Sequence, residues 1–267
     1  MWRTNVAGVC LAMVAAVVMV NAVSVYRSEQ DVESAIRSGF ISRLRPSGGF
    51  RGLTRNGASG SGSGIPKVDL LFVLDSSGSI SESEFYTLKQ AMKDVVAVVH
   101  EQTPIQPGGS RIAVMKFSEI SKTNMQFGFG AKPTELQVKM AIDALTHDKG
   151  GWTATGTALE KAKEVFQGSD PSRVKMIWVL TDGESNVQPK PGIPAAALRR
   201  DNILIYVVPI GDAVNQANSS ARREVESMAS EPKEEYIYEF PSAAVASRTL
   251  SRLANRGNMF SGFRIQG

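Results

Sequence analysis

The chain has 267 residues, of which 42% are hydrophobic, and its 30 basic and 26 acidic side chains leave a net charge of +4. This composition excludes a fully disordered chain, and a single cysteine excludes a disulfide-stabilised scaffold. Because the basic surplus lies before Val68, a basic domain that binds nucleic acid is not expected either.

The N-terminus has the pattern of a secretory signal peptide. Arg3 precedes an apolar run over residues 6–20, and small residues follow it. This run is shorter than the roughly 20 apolar residues that a transmembrane helix needs, so we predict a cleaved signal over residues 1–24 and no membrane span. The single cysteine, Cys10, lies inside the signal, and the secreted protein is therefore expected to contain no disulfide.

Residues 25–66 form a basic segment rich in Gly, Ser and Arg, which predicts a flexible leader. A short helix over Asp31–Leu44 is a weaker alternative for its first part. The leader is expected either to act as a plain linker or to bind acidic glycans and acidic matrix polymers. The arginines that would bind such polymers are Arg37, Arg43, Arg45, Arg51 and Arg55.

From Lys67 onward the chain alternates apolar runs with amphipathic patterns. The four apolar runs, which predict buried strands, are Leu70–Leu74, Ile112–Phe117, Met176–Leu180 and Ile203–Ile210. Helical patterns lie between them, and a capping box at Ser81 and Glu84 marks the start of the first. The predicted fold over residues 67–254 is therefore an α/β domain with a doubly wound, mainly parallel sheet, a short antiparallel edge strand at Met125–Phe129 and flanking helices. Residues 255–267 are assigned to a C-terminal tail.

Oxygen-bearing side chains follow two of the predicted strands. Asp75, Ser77 and Ser79 come directly after the first strand, and Asp182 follows the third. A Gly-rich turn between them carries Thr153. Since ligands of open α/β sheets bind at the carboxyl ends of the strands, these groups are expected to converge. A donor set made only of oxygen favours a hard cation, Mg²⁺ first, with Mn²⁺ or Ca²⁺ as alternatives.

The same residues resemble a known family. The motifs are Asp75-x-Ser77-x-Ser79, Gly151-x-Thr153-x-Thr155-Gly156 and Thr181-Asp182-Gly183. In this order they resemble the metal-ion-dependent adhesion site of von Willebrand factor A domains, and the first motif is similar to those of matrilins and type VI collagen. The resemblance implies a Rossmann-like fold and direct or water-bridged metal contacts from Ser77, Ser79 and Thr153, with Asp75 and Asp182 near the ion. We predict no catalysis. The resemblance also implies binding to extracellular matrix proteins such as collagens, with a partner's acidic side chain completing the coordination.

Three further residues have open interpretations. Trp152 is either an exposed contact for a ligand or a packed aromatic. His147, in the loop before it, is interpreted as a surface residue rather than a metal ligand. Asn218 begins a glycosylation sequon, which a secreted chain would expose to modification.

Two other functions compete with matrix adhesion. In the first, the metal site only stabilises a matrix spacer, and the basic leader binds the partner. In the second, a strand followed by Asp75 forms part of a phosphatase of the haloacid dehalogenase type. That chemistry requires a second acid two positions after the nucleophile, where this chain has Ser77, so the enzyme is the weakest of the three hypotheses.

Overall fold

The computed structural model describes residues 28–44, 65–210, 219–240, 245–246 and 248–253. The predicted signal peptide with Cys10, most of the Gly/Ser-rich stretch, Asn218 and the C-terminal tail lie outside the described residues. The strands are β1 (Val68–Asp75), β2 (Arg111–Phe117), β3 (Asn124–Phe127), β4 (Val174–Thr181) and β5 (Leu204–Pro209). The helices are α1 (Glu29–Ala35), a π-helical turn (Ile36–Ile41), α2 (Ser42–Leu44), α3 (Glu82–Gln102), a 3₁₀ turn (Ile120–Lys122), α4 (Glu135–Asp143), α5 (Thr155–Val165), α6 (Gly192–Arg200), α7 (Ser220–Met228) and α8 (Lys233–Tyr236).

The five strands form one sheet in the order β3-β2-β1-β4-β5. The pairs β1–β2, β1–β4 and β4–β5 are parallel, and β3 pairs with β2 in the antiparallel direction. This confirms the predicted doubly wound sheet with one antiparallel edge strand. Every residue of the central strand β1 is buried, as expected for a strand covered by helices on both faces. Within the described part of the chain, no helix combines the length and apolarity needed to cross a membrane.

The helix α3 shows how the sequence sets a boundary. The Ser81 hydroxyl accepts a hydrogen bond from the Glu84 backbone, and the Glu84 carboxylate accepts one from the Ser81 backbone, which completes the predicted capping box. The buried stripe of α3 then faces the core with Phe85, Leu88, Met92, Val95, Val96 and Val99.

The helix α4 exposes two large apolar side chains. Leu136 and Met140, four positions apart, are 69% and 62% exposed, respectively. Val138 and Ile142 are buried instead. Since α4 is short and lies beside α3 near the edge of the sheet, only one narrow side of it is covered.

The prediction of a flexible leader over residues 25–66 is wrong for its first part. We call Glu29–Leu44 the N-terminal helical segment; it comprises α1, the π-helical turn and α2. A capping box between Ser28 and Asp31 starts it, and its apolar side chains are almost completely buried. These side chains, Val32, Ile36, Phe40, Ile41 and Leu44, belong to the same hydrophobic cluster as the strands. The segment is therefore part of the folded core: helical spacing gives it one apolar face, and residues of β4 and β5 cover that face.

This segment covers an aromatic cluster on β4 and β5. The Phe40 ring packs edge-on against Trp178 and Tyr206, at centroid distances of 4.9 Å and 5.4 Å. Gly39 permits this approach, because a Cβ atom there would lie 2.5 Å from the Glu235 backbone oxygen. Glu29 also contacts the helical residues near the C-terminus, where it accepts a hydrogen bond from Thr249.

The arginines of the segment are already paired. Arg37 forms an ion pair with Glu33 at 2.9 Å, and Arg43 forms one with Glu235 at 2.8 Å while lying over the Tyr236 ring. This pairing argues against Arg37 and Arg43 as binding groups for acidic polymers. Arg45, Arg51 and Arg55 lie outside the described residues, and their role stays a prediction.

Candidate metal centre

Asp75 ends β1 and lies at the centre of the site. Its side chain is fully buried, between the ends of β2 and β4. One carboxylate oxygen accepts a hydrogen bond from the Ser77 backbone at 2.9 Å, and the other accepts one from the Thr181 hydroxyl at 2.8 Å. Burial and the neighbouring Asp182 raise the pKa of Asp75 to about 7, although the hydrogen bonds from Ser77 and Thr181 oppose that shift. The fold therefore holds a buried acid for which the described residues supply hydrogen bonds but no compensating cation.

A chain of hydroxyl contacts connects Asp75 with Asp182. The hydroxyl oxygens of Ser77 and Ser79 lie 3.0 Å apart, and the Ser79 hydroxyl is close enough to the Asp182 carboxylate to act on its pKa. Burial raises the pKa of Asp182 as well, and the contact with Ser79 opposes that shift. Neither carboxylate forms an ion pair with any residue that the structure describes. The two acids and two hydroxyls thus lie together, in the arrangement expected from the strand order.

The Gly-rich turn brings Thr153 to the same edge of the sheet. Thr153 is buried, and its backbone nitrogen donates to the Asn186 side chain at 2.8 Å. The next residue, Ala154, donates its backbone N–H to Ser118 at the end of β2. These contacts fix the turn at the β2 end, on the same edge of the sheet as Asp75, and the role of Thr153 as a metal ligand stays a prediction. The neighbouring Trp152 is 57% exposed, which decides against the packed interpretation of this side chain.

The residues that precede this turn, 147–150, hydrogen-bond to the loop 76–79 that follows β1 and hold it in place. A short parallel bridge joins Ser77 to Gly150, and Gly78 donates to the Gly150 carbonyl at 2.7 Å. The Asp148 backbone donates to the Ser76 hydroxyl, and the Asp148 carboxylate pairs with the buried Lys116 at 2.7 Å. These contacts hold the loop with little freedom, which is the pre-organisation a metal site requires.

His147 is one of these supporting residues rather than a plain surface residue. Its Nε2 atom lies 2.9 Å from the Ser77 carbonyl oxygen, and its ring stacks on Phe85 at 4.8 Å. The ring is half-buried, and it supports the backbone of a residue predicted to bind metal. Composition gave no signal for this role, because the contact joins residues 70 positions apart.

The donor chemistry fits a divalent cation. The five predicted metal residues, Asp75, Ser77, Ser79, Thr153 and Asp182, supply only oxygen, the donor type that Mg²⁺ prefers. The buried hydroxyl groups of Ser118 and Thr155, beside the same turn, find no hydrogen-bond partner among the described residues. The described residues contain no group of three or more His, Cys, Asp or Glu side chains suited to a metal. Any ion at this site would therefore rely on hydroxyl groups and water beside two carboxylates.

Sequence reasoning missed three groups that shape this edge. Asn186 orients the Thr153 backbone, Ser118 contacts Gly150, and Glu224 from α7 accepts a hydrogen bond from the Ser185 backbone at 2.7 Å. Burial is the main cause that raises the pKa of Glu224 to about 7, and the nearby Glu184 and Asp182 raise it further. The hydrogen bond from Ser185 and the charge of Lys190 oppose this shift. No short motif marks these residues, because each comes from a different element.

Glu224 gives the metal-free protein a measurable pH dependence. Its pKa rises on folding, so its contribution to stability is fully present below the ordinary pKa of 4.5 and is lost as the pH rises through about 7. We expect Glu224→Gln to melt at a higher temperature than the parent at pH 8 in EDTA, and to lose this advantage at pH 4.5. Thermal unfolding at both pH values measures it, with the exposed Glu160→Gln as control. An advantage of equal size at both pH values would contradict the assignment.

The comparisons with known proteins address the family directly. The family model described as "von Willebrand factor type A domain" matches residues 69–252 of the chain. The chain belongs to the von Willebrand factor type A domain family. The match begins at the start of β1, so the N-terminal helical segment of this von Willebrand factor A domain protein lies outside it.

Similar proteins include two curated relatives of much greater length. The domain is 33% identical to the human (Homo sapiens) collagen alpha-6(VI) chain over 161 residues, which are 59% of this chain and 7% of the relative. It is 29% identical to mouse (Mus musculus) matrilin-4 over 193 residues, which are 70% of this chain and 28% of the relative. The von Willebrand factor A domain protein thus spans less than a third of either relative.

A solved structure shares the fold. Proximal thread matrix protein 1 from the mussel byssus superposes with a TM-score of 0.61 at 23% identity, covering 71% of this chain and 47% of that one. Another structure of the same mussel protein, with a TM-score of 0.60, has a zinc-occupied MIDAS motif. At this identity the likeness of the von Willebrand factor A domains shows the fold alone.

Proposed function

We propose that this protein is a secreted, non-catalytic module that binds extracellular matrix proteins through a divalent cation at the carboxyl edge of its sheet. One observation carries the proposal. Asp75 is buried and Asp182 is partly buried beside it, neither with a cationic partner among the described residues, and a bound Mg²⁺ would compensate both charges. The mussel byssus protein, which shares this fold and has been solved with zinc in its MIDAS motif, supports the proposal of metal binding.

Five side chains would hold the ion, namely Asp75, Ser77, Ser79, Thr153 and Asp182. Three of these are neutral hydroxyls, so the protein would leave the cation only partly neutralised. The ion would supply positive charge and a coordination position for one carboxylate of a partner. Trp152, exposed beside Thr153, is proposed to pack against that partner. Matrix localisation and partners such as collagens are supported by the matrilin and collagen VI relatives.

Calorimetric titration of the full chain with Mg²⁺ and with Mn²⁺ tests the metal site. We expect Asp75→Asn and Thr153→Ala to weaken metal binding by about 10- to 100-fold. Both variants should stay folded, because Asn keeps the shape of Asp75 and the Thr153 side chain makes no hydrogen bond with a described residue. Asp201→Asn, on the surface beside Lys163, is the matched control and should bind normally.

Adhesion is tested with immobilised collagen as the probe. We expect binding that EDTA reverses, that both variants lose, and that disappears when the collagen carboxylates have been amidated. Collagen binding that persists in EDTA and in Thr153→Ala would contradict metal-dependent adhesion. If the parent protein binds metal, and Thr153→Ala lowers stability but leaves collagen binding unchanged, the results would favour the matrix spacer.

A further inference from the structure

A cationic groove lies at the end of the sheet opposite the metal centre. It consists of two adjoining cavities, of about 320 Å³ and 210 Å³, on either side of the loop 106–110. The cavities share Gln106, Pro107, Gly108 and Ser110 in their linings. Lys67, which precedes β1, lines the first, and Arg111, which begins β2, lines the second together with Lys132. The two cavities therefore form one continuous surface at the amino ends of the parallel strands.

The ionisable residues that line this groove are all basic. Lys67, Arg111 and Lys132 are present, and neither lining contains an Asp or a Glu. Lys67 and Lys132 form no ion pair or side-chain hydrogen bond with any residue in the described part of the chain. Two unpaired ammonium groups along one groove favour an anionic ligand.

A buried ion-pair cluster holds Arg111 in place at the groove. Asp69, fully buried at the start of β1, accepts hydrogen bonds from both Arg111 and Arg173. One buried carboxylate thus faces two guanidinium groups, and the Asp170 carboxylate lies within electrostatic range of both. Arg111 donates to Asp69 through Nε and Nη2 and lies over the Phe129 ring, so its Nη1 donors remain for a ligand. Asp170 lines neither cavity, but its charge acts on Lys67 and Arg111, so the cationic character of the groove comes chiefly from the three basic side chains in its lining.

The rest of the lining has the chemistry of a carbohydrate site. Pro66, Pro104, Pro107 and Pro133 offer apolar ring surfaces, and Gln106 offers an amide to hydroxyl groups. The loop is stiff, because Gly109 lies so close to the Pro104 carbonyl that a Cβ atom would be 2.4 Å from it. A line of separated cations between apolar surfaces suits a polymer with repeating anions better than one small ion.

We propose that this groove binds a sulfated polysaccharide of the glycosaminoglycan type. Lys67 and Lys132 contact sulfate or carboxylate groups, and Arg111 contributes its free donors between them. The site lies at the other end of β1 from Asp75, so it works without the metal. In this proposal the groove takes the polymer-binding role that the sequence predicts for Arg37 and Arg43, which are paired within the fold.

Calorimetry of the full chain with a heparin oligosaccharide, in EDTA, tests this site. We expect Lys67→Gln with Lys132→Gln to weaken heparin binding about tenfold and to reduce its salt dependence. Lys163→Gln with Lys233→Gln removes the same charge elsewhere on the surface and should change the affinity little. Desulfated heparin should bind weakly to the parent protein.

A further variant separates the groove from the leader. Replacing Arg45, Arg51 and Arg55 with glutamine should leave most of the affinity if the groove is the site. Loss of binding in this variant but not in the groove variant would overturn the proposal, as would equal loss in the control pair. Equal affinity for poly-aspartate would assign the groove to acidic protein instead. Because EDTA is present throughout, a failure here leaves the metal-dependent function untouched.

Discussion

Replacing Gly156 with alanine should destabilise the protein by about 3 kcal/mol and weaken Mg²⁺ binding. Gly156 lies in the first turn of α5, directly after the turn that carries Thr153. A Cβ atom at this position would lie 1.8 Å from the Pro189 carbonyl oxygen, in the loop that follows Asp182. Because the nearest Pro189 atoms belong to the backbone and cannot rotate away, the added methyl group must push the two loops of the metal centre apart. Urea unfolding and Mg²⁺ calorimetry measure the two effects.

Gly151→Ala is the matched control, because it adds the same methyl group to the same Gly-rich turn. A Cβ atom on Gly151 would meet no atom within 4 Å. We expect its stability to stay within about 0.5 kcal/mol of the parent. If Gly156→Ala behaved like Gly151→Ala, the close contact between α5 and the loop after Asp182 would be refuted.

Phe40→Ala should reduce the free energy of unfolding by about 3 kcal/mol or more. The Phe40 ring is buried against Trp178 and Tyr206, and its removal leaves a cavity at the centre of the aromatic cluster. A flexible leader would predict no effect, because a side chain in solvent contributes nothing to the folded state. Equilibrium urea unfolding, followed by tryptophan fluorescence, measures the change.

Ser38→Ala, two residues earlier on the exposed side of the same segment, is the control and should change stability little. A Phe40→Ala effect as small as that of Ser38→Ala would mean that the segment does not dock on β4 and β5. A large loss of stability with an unchanged m-value would show that the segment unfolds together with the rest of the domain.

The grouping of acids at the candidate metal centre can be predicted from the sequence, because each acid directly follows an apolar run that forms a strand. Asp75 and Asp182 each follow a continuous apolar run, and the ends of parallel strands necessarily meet at one edge. The structure brings both acids close enough for each to be affected by this edge's serines, and the Ser77 and Ser79 hydroxyls lie 3.0 Å apart there. The support for this group was harder to foresee, since His147 and Asn186 act through backbone contacts that no spacing rule describes.

The N-terminal helical segment marks the limit of such reasoning. Its charged residues and its Gly/Ser-rich continuation favour a flexible leader, and only the spacing of Val32, Ile36 and Phe40 argues for burial. The surface that covers these side chains is formed by residues more than 130 positions later, such as Trp178. Hydrophobic spacing shows that a helix has an apolar face, but it does not show whether a partner for that face exists elsewhere in the chain.

The contact between Glu29 and Thr249 joins residues separated by 220 positions. During synthesis the N-terminal helical segment leaves the ribosome before β4, β5 and Thr249, so its docking surface is complete only after these residues have emerged. Its apolar face therefore stays exposed to solvent until the sheet has formed. We expect docking of this segment to be a late folding step, because it closes a loop of 220 positions. Chaperones that bind exposed apolar helices would have their longest opportunity at this end of the chain.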